Sequence, residues 1–166
     1  MGPIAIEATV DAEALAPELL ALVQAAFEGL RGRLEPESSA LRETLGTIRD
    51  KARREAVALA RLDGRLAGCA FYRREGDDLY IGKLAVRPEQ RRRGIAGRLI
   101  GFVEQQAALQ GCARVTLEVR IALPDNIRLF ESHGFRAYAT GSYEGFAQPT
   151  YLKMAKAAGV TGAAAL

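Results

Sequence analysis

The chain has 166 residues, 49% of them hydrophobic and 26% charged, a balance that suits one compact domain burying roughly two thirds of its unfolded surface and excludes wholesale disorder. Lys and Arg number 23 against 20 Asp and Glu, a net charge of +3, mildly basic and suited to anionic small molecules or acidic partners. No run of about 18 apolar residues that could span a bilayer is present, and no basic, apolar leader, so a cytoplasmic protein without a membrane partner is expected.

Ile4 to Val10 alternates weakly and ends at Asp11, which predicts a short first strand. Leu15, Leu19, Leu22, Val23, Phe27 and Leu30 then repeat at helical spacing, the period of one buried face, and Pro17 suits the first turn. A polar connection over Arg33 to Ser39 leads to Leu41, Leu45 and Ile48, a second helix that runs out in Arg49 to Glu55, read as a solvated face. From Ala56 the period shortens. Val57 and Leu59 lie in one strand, Asp63-Gly64 is a hairpin turn, Leu66 to Tyr72 is the next strand, and Leu79 to Val86 follows the turn at Glu75 to Asp78, three antiparallel strands in succession. A helix over Arg98 to Gln110 turns Leu99, Phe102, Val103 and Ala107 inward and closes on Gly111, a residue type that favours helix ends.

Ala113 to Val119 alternates as a strand, and a helix from near Asn126 buries Ile127 and Phe130 and stops at Gly134. Phe135 to Thr140 and Thr150 to Met154 are the last strands, joined by Gly141 to Pro149. A single domain over 1–156 is expected, with 157–166 a flexible tail. The fold class is α/β: a mixed α+β sheet with helices on both faces.

Cys69 and Cys112 lie far apart and His133 is the single histidine, so neither a metal site nor a Cys-His pair is expected, and the cysteines read as small core residues. His133 reads as a helix C-terminal residue. Arg87, Arg91, Arg92, Arg93 and Arg98 crowd into twelve residues around Arg91-Arg92-Arg93-Gly94-Ile95-Ala96-Gly97. Such small residues between a strand and a helix let the backbone approach a ligand, and the free N–H groups and positive helix end stabilise an anion such as a pyrophosphate. The arginines add charge-assisted hydrogen bonds. The loop is neither a Walker A motif nor GxGxxG. A nucleic-acid partner is not expected, because stacking aromatics and a basic recognition helix are missing.

Leu84-Ala85-Val86-Arg87-Pro88 followed by Arg91-x-x-Gly94-x-Ala96 resembles the acetyl-coenzyme A signature of the Gcn5-related N-acetyltransferases (GNAT). Leu117-Glu118-Val119-Arg120, then Asn126, then Leu129 to Phe135 resemble the same family's second block. The resemblance implies a mostly antiparallel sheet, flanked by helices and splayed where the strand ending at Val86 leaves the one ending at Val119, with coenzyme A in the opening. It implies that the main chain of Leu84, Ala85 and Val86 pairs with the pantetheine and that Arg91, Arg92, Arg93, Gly94, Ile95, Ala96 and Gly97 surround the pyrophosphate. Asn126 and Phe130 would contact the pantetheine, with Arg128 a weaker phosphate contact. Acetyl-CoA is then the acyl donor, a primary amine of a small or amino-acid-like molecule the acceptor, and a homodimer the expected assembly. A protein N-terminal acetyltransferase and a non-catalytic acyl-CoA-binding module stay open beside it.

By the family's chemistry the amine attacks the thioester directly once a base has taken its proton, since an alkylammonium of pKa about 10.4 has no lone pair to offer. The backbone N–H of Val86 would face the developing oxyanion. Tyr80 stands where relatives often carry a Glu, and its hydroxyl can orient a relay water. Glu118 is the alternative carboxylate, or else the partner of an arginine on the sheet face. Phe130 replaces the Tyr that in many relatives protonates the thiolate, which at a pKa near 8.5 is already a tolerable leaving group. The acceptor is expected at Arg33 to Ser39 and Gly141 to Pro149. There Tyr143, Glu144 and Phe146 either suit a cationic amine with an apolar part or form an ordinary hairpin tip.

Overall fold

The computed structural model describes residues 2–9 and 11–158. In chain order the elements are β1 (Ile4–Ala8), α1 (Ala16–Phe27), α2 (Leu45–Arg54), β2 (Ala56–Leu62), β3 (Arg65–Glu75), β4 (Asp78–Val86), α3 (Ile95–Leu109), β5 (Arg114–Arg120), α4 (Pro124–Ser132), β6 (Arg136–Gly141) and β7 (Tyr151–Ala157). The strands form an open seven-stranded mixed sheet in the order β1-β2-β3-β4-β5-β7-β6. Its β4–β5 pair is parallel, and β1–β2, β2–β3, β5–β7 and β6–β7 are antiparallel. This is the mixed α/β architecture expected from the element order.

Boundaries moved where local geometry overrode the apolar period. The first strand ends at Ala8, and Val10 lies outside the described residues. The first helix gives way to a tight 3-10 turn over Glu28–Leu30. The second does not start at Leu41: a 3-10 turn covers Ser39–Arg42, and Thr44 caps α2. The Thr44 hydroxyl accepts from the Thr47 N–H at 3.2 Å, and the Thr47 hydroxyl accepts from the Thr44 N–H at 2.8 Å, a reciprocal box that fixes the helix start. The third helix begins at Ile95 rather than Arg98, because Ile95 is buried with Leu99 and the chain enters the helix through Gly94 at φ +76°. At the other end β7 reaches Ala157, and Ala158 donates its N–H to the Ala113 carbonyl at 3.0 Å. The rest of the expected tail lies outside the described residues.

Two compact units divide the chain, the first from residues 1–73 and 82–103, the second from 74–81 and 104–166. In the first, Leu19, Leu22 and Val23 of α1, Ile48 of α2, Val57 and Leu59 of β2, Cys69 and Phe71 of β3 and Ala85 of β4 make one core cluster. Gly68, which precedes the inward Cys69 on β3, turns to the opposite face. A Cβ there would sit 3.0 Å from the Ala85 carbonyl oxygen, 3.0 Å from Ile95 and 3.2 Å from Leu99, so its lack of a side chain lets the start of α3 lie against the strand. The centres of β2 and β3 are therefore buried on both faces. In the second unit Asp78 to Ile81 pair with Arg114 to Leu117, and Arg114 grips Asp78 through two hydrogen bonds of 3.2 and 2.8 Å. Val115, Leu117, Phe135 and Met154 are buried, whereas β6 is an exposed edge strand.

Candidate functional site

The loop after β4 belongs wholly to the first unit. Arg87 ties its entry down, donating its N–H to the Ala67 carbonyl at 2.8 Å and its Nε to the Leu66 carbonyl at 2.9 Å. A single 3-10 turn, Pro88–Gln90, follows. Arg92 then adopts φ +65° and Gly94 φ +76°, and such left-handed residues among right-handed ones point successive N–H groups into one concavity that suits an anion. Holding the non-glycine Arg92 there costs on the order of 1–3 kcal/mol, a strain typical of ligand clamps. The first backbone bond closing α3 runs from the Arg98 N–H to the Gly94 carbonyl at 3.0 Å, which leaves the N–H groups of Ile95, Ala96 and Gly97 without an intrahelical acceptor.

The five arginines divide by task. Arg91 donates its Nη2 to the Ala26 carbonyl at the end of α1 at 2.7 Å, and Arg98 its Nη2 to the Ile4 carbonyl of β1 at 3.1 Å. These two, with Arg87, shape the loop. Arg92 and Arg93 are exposed, and among the described residues neither meets a carboxylate. A pyrophosphate fits this donor set: turned-in amides, a helix start and two unengaged guanidinium groups. On β4 itself Ala85 is spent in the core while Leu84 and Val86 are half-buried, so its backbone and those two side chains are what remains for a ligand.

In the second unit the alternation of β4 and β5 places Tyr80, Thr116, Glu118 and Arg120 on one sheet face, with Tyr80 in register with Thr116. The two candidate proton-handling residues thus share a face. Glu118 is exposed and stands opposite Lys153 of β7. Arg120 lies over the Tyr143 ring at 4.9 Å, and Tyr143 packs on Tyr151 with centroids 5.1 Å apart. Burial raises the Tyr143 hydroxyl above its ordinary pKa, and Arg120 partly opposes that. The loop between β6 and β7 turns at Gly145, φ +88°, where the Phe146 N–H reaches the Tyr143 carbonyl at 3.1 Å. Tyr143 and Phe146 are each 36% exposed, and Glu144 between them is exposed as well. Arg120 occupies the aromatic face expected for a cationic amine. Neither Arg120 nor Tyr151 was assigned a role from sequence, although Arg120 ends the Leu117–Arg120 block.

On α4, Asn126 is exposed and Phe130, one turn on, meets Phe135 edge-on at 6.0 Å. Arg128 is ion-paired with Asp125 of its own helix, and His133 caps that helix's C-terminus. Cys69 is fully buried and burial pushes its thiol up to about 12, so it is no nucleophile near neutrality. Among the described residues no His, Cys, Asp and Glu cluster suits a metal ion, and no helix is long and apolar enough to cross a membrane.

A charged cluster that the sequence reading passed over lies in the first unit. Lys83 of β4 points to the Ala85 side of the strand, its side chain 7% exposed, with its Nζ 3.4 Å from Oε2 of Glu43, itself 10% exposed. The same ammonium sits 5.7 Å from the centre of the Phe27 ring, and the Glu43 Oε1 accepts from the Thr47 hydroxyl at 2.7 Å. Close by in sequence, Glu55 takes Lys51 at 3.4 Å and Arg73 at 3.3 Å on one carboxylate oxygen. The signal for Lys83 was available: it falls in phase with Ile81 and Ala85 on an alternating strand.

The sequence matches the acetyltransferase (GNAT) family over residues 17–135. No curated protein matches it significantly. Among solved structures it is similar to the ribosomal-protein-S18-alanine N-acetyltransferase from Escherichia coli, at 19% identity and a TM-score of 0.74 over 94% of each chain. It is also similar to the PaiA N-acetyltransferase from Thermoplasma acidophilum in complex with coenzyme A, at 16% identity and a TM-score of 0.78 over 92% of this chain and 99% of that one. At such identities the likeness is one of fold.

Proposed function

The chain belongs to the acetyltransferase (GNAT) family, and from that premise we propose that it moves the acetyl group of acetyl-CoA onto the primary amine of a small, amino-acid-like acceptor. Acyl transfer from acetyl-CoA is the family's chemistry; the acceptor class is our reading. The observation that carries the donor assignment is the loop after β4, with positive φ at Arg92 and Gly94 and an N-terminal helix turn whose amides lack acceptors.

In this reading the amides from Arg92 to Gly97 bind the pyrophosphate and Arg92 and Arg93 neutralise it, while Arg91 positions the loop through Ala26. The main chain of Leu84 to Val86 holds the pantetheine in strand-like fashion, and Asn126 and Phe130 line the arm. Acetyl-CoA supplies a thioester carbonyl whose thiolate leaves readily. The acceptor ammonium gives up its proton by way of the face that carries Tyr80 and Glu118, where Glu118 is the base and Tyr80 orients water. The Val86 N–H faces the carbonyl oxygen as negative charge gathers there. Phe130 has no proton to give, so the thiolate departs unprotonated or takes its proton from water. Tyr143, Glu144 and Phe146 are assigned to the acceptor side.

Transfer to a protein N-terminus is the second reading, favoured by the fold likeness to the ribosomal-protein-S18-alanine N-acetyltransferase. A thiol-release assay with acetyl-CoA against amines, amino acids and N-terminal peptides tests both, with Gly94→Glu as control. Nothing lies within 4 Å of a Cβ at Gly94, so the variant's defects are a strained φ and a carboxylate aimed at the anion. We expect release by the wild type and a rise of about tenfold or more in the variant's KM for acetyl-CoA, the size of one lost charge-assisted contact. No release from any acceptor, together with no rise in Tm on adding acetyl-CoA, would overturn the reading.

A further inference from the structure

A cavity of about 270 Å³ opens within the first unit beside the loop after β4, and none of its lining residues is among those assigned to acetyl-CoA. Its walls are the β2–β3 hairpin and the Pro88–Gln90 turn. Arg87 fastens the one to the other, its N–H on the Ala67 carbonyl and its Nε on the Leu66 carbonyl. The floor is apolar, since Leu62, Leu66 and Ala67 are buried. The rim carries both signs of charge, Arg65 and Arg87 against Asp63 and Glu89. Among the described residues these four side chains form no ion pair, with one another or with any other group, and their one hydrogen bond is that of Arg87 Nε. Gln90, also in the wall, has a buried Oε1 without a partner, whereas buried acceptors are nearly always paired.

Opposite charges gathered at one opening without neutralising each other suit a molecule that carries both. A dianion such as phosphate would meet the arginines but be opposed by Asp63 and Glu89, and a simple cation would face the reverse. We propose that this cavity binds a free α-amino acid with an apolar side chain. The carboxylate lies on Arg65 and the Nη groups of Arg87, the ammonium on Asp63 and Glu89, and the side chain against Leu62 and Leu66. The ammonium also brings a donor to the wall that holds the unpaired Gln90 Oε1. A volume just under the range of drug-sized sites, about 300–1,000 Å³, fits so small a ligand. The site does not depend on the transferase reading. Gln90 directly precedes Arg91, so the bound amino acid bridges the root of the loop to the β2–β3 hairpin.

Isothermal titration calorimetry with the apolar L-amino acids, in the absence of acetyl-CoA, tests the site. The tightest binder is then compared with its amide, which lacks the carboxylate, and with its N-acetyl derivative, which lacks the ammonium. The same titrations are run on Arg65→Ala and Glu89→Gln. Each derivative, and each variant, is expected to weaken binding by about tenfold, the size of one charge-assisted hydrogen bond. Both substituted side chains are exposed and without partners among the described residues, so both variants should fold, which a circular dichroism melt reports; if one does not, the other carries the comparison. Binding of no amino acid, or binding of the amide or the N-acetyl derivative as tight as that of the parent, overturns the proposal. So does binding undiminished in either folded variant, which would put the amino acid elsewhere, the acceptor side included. None of these results touches the transferase reading, which the thiol-release assay decides.

Discussion

An unfolded lysine titrates near pH 10.4, whereas burial lowers the pKa of Lys83 in the folded protein. Between the two values the unfolded chain binds more protons than the folded one, so this residue makes stability rise with pH across that window. Below the folded pKa the desolvation penalty is felt in full; it is relieved as the solution passes upward through that pKa. Melting the wild type beside Lys83→Met/Glu43→Gln from neutral pH to about pH 10 should show the double variant's stability relative to the wild type greatest near neutrality and smallest at the alkaline end. A difference that does not change with pH would place Lys83 in a more solvated setting than its 7% side-chain exposure indicates.

Among the elements, α2 owes its start to one side chain. Thr44→Ala removes the acceptor for the Thr47 N–H and is expected to cost about 1 kcal/mol, a fall in Tm of about 2–4 °C for a chain of this size. A thermal melt reads it, and Thr44→Ser should restore most of the loss. The same element shows where sequence reading stops. Leu41, Leu45 and Ile48 fit one helical period, but the period says nothing of a cap in its midst, and Leu41 falls in a separate 3-10 turn. The start of α3 was hidden for the opposite reason: Gly94 and Gly97 are poor local advertisements for a helix, and burial of Ile95 decides the matter. The Asp63-Gly64 hairpin was legible because a type I′ turn demands positive φ at both positions, and they adopt +53° and +77°. The loop after β4, with its small residues leading into a helix, was legible from its motif. The use of Arg91 and Arg98 as struts was not, since Ala26 and Ile4 lie 65 and 94 residues away in sequence.

At the scale of the molecule, neither compact unit is a continuous stretch of chain: β4 and α3 each pass from one unit into the other. The segment 104–158 lacks Asp78 to Ile81, the strand residues that pair with β5 and supply Asp78 to Arg114. Expressed alone, it should show little ordered secondary structure by circular dichroism, and adding a peptide of residues 74–86 should recover part of it. A well-folded isolated segment would mean that β5, β6 and β7 with α4 suffice by themselves.

The struts on the loop after β4 have a thermodynamic consequence. Arg91 and Arg98 pin it to the end of α1 and to β1, so its conformational entropy is surrendered when the chain folds rather than when a ligand arrives. Preorganisation of this kind shows in association being governed by encounter rather than by loop closure, and in a binding entropy free of the large ordering loss that a floppy phosphate loop would bring.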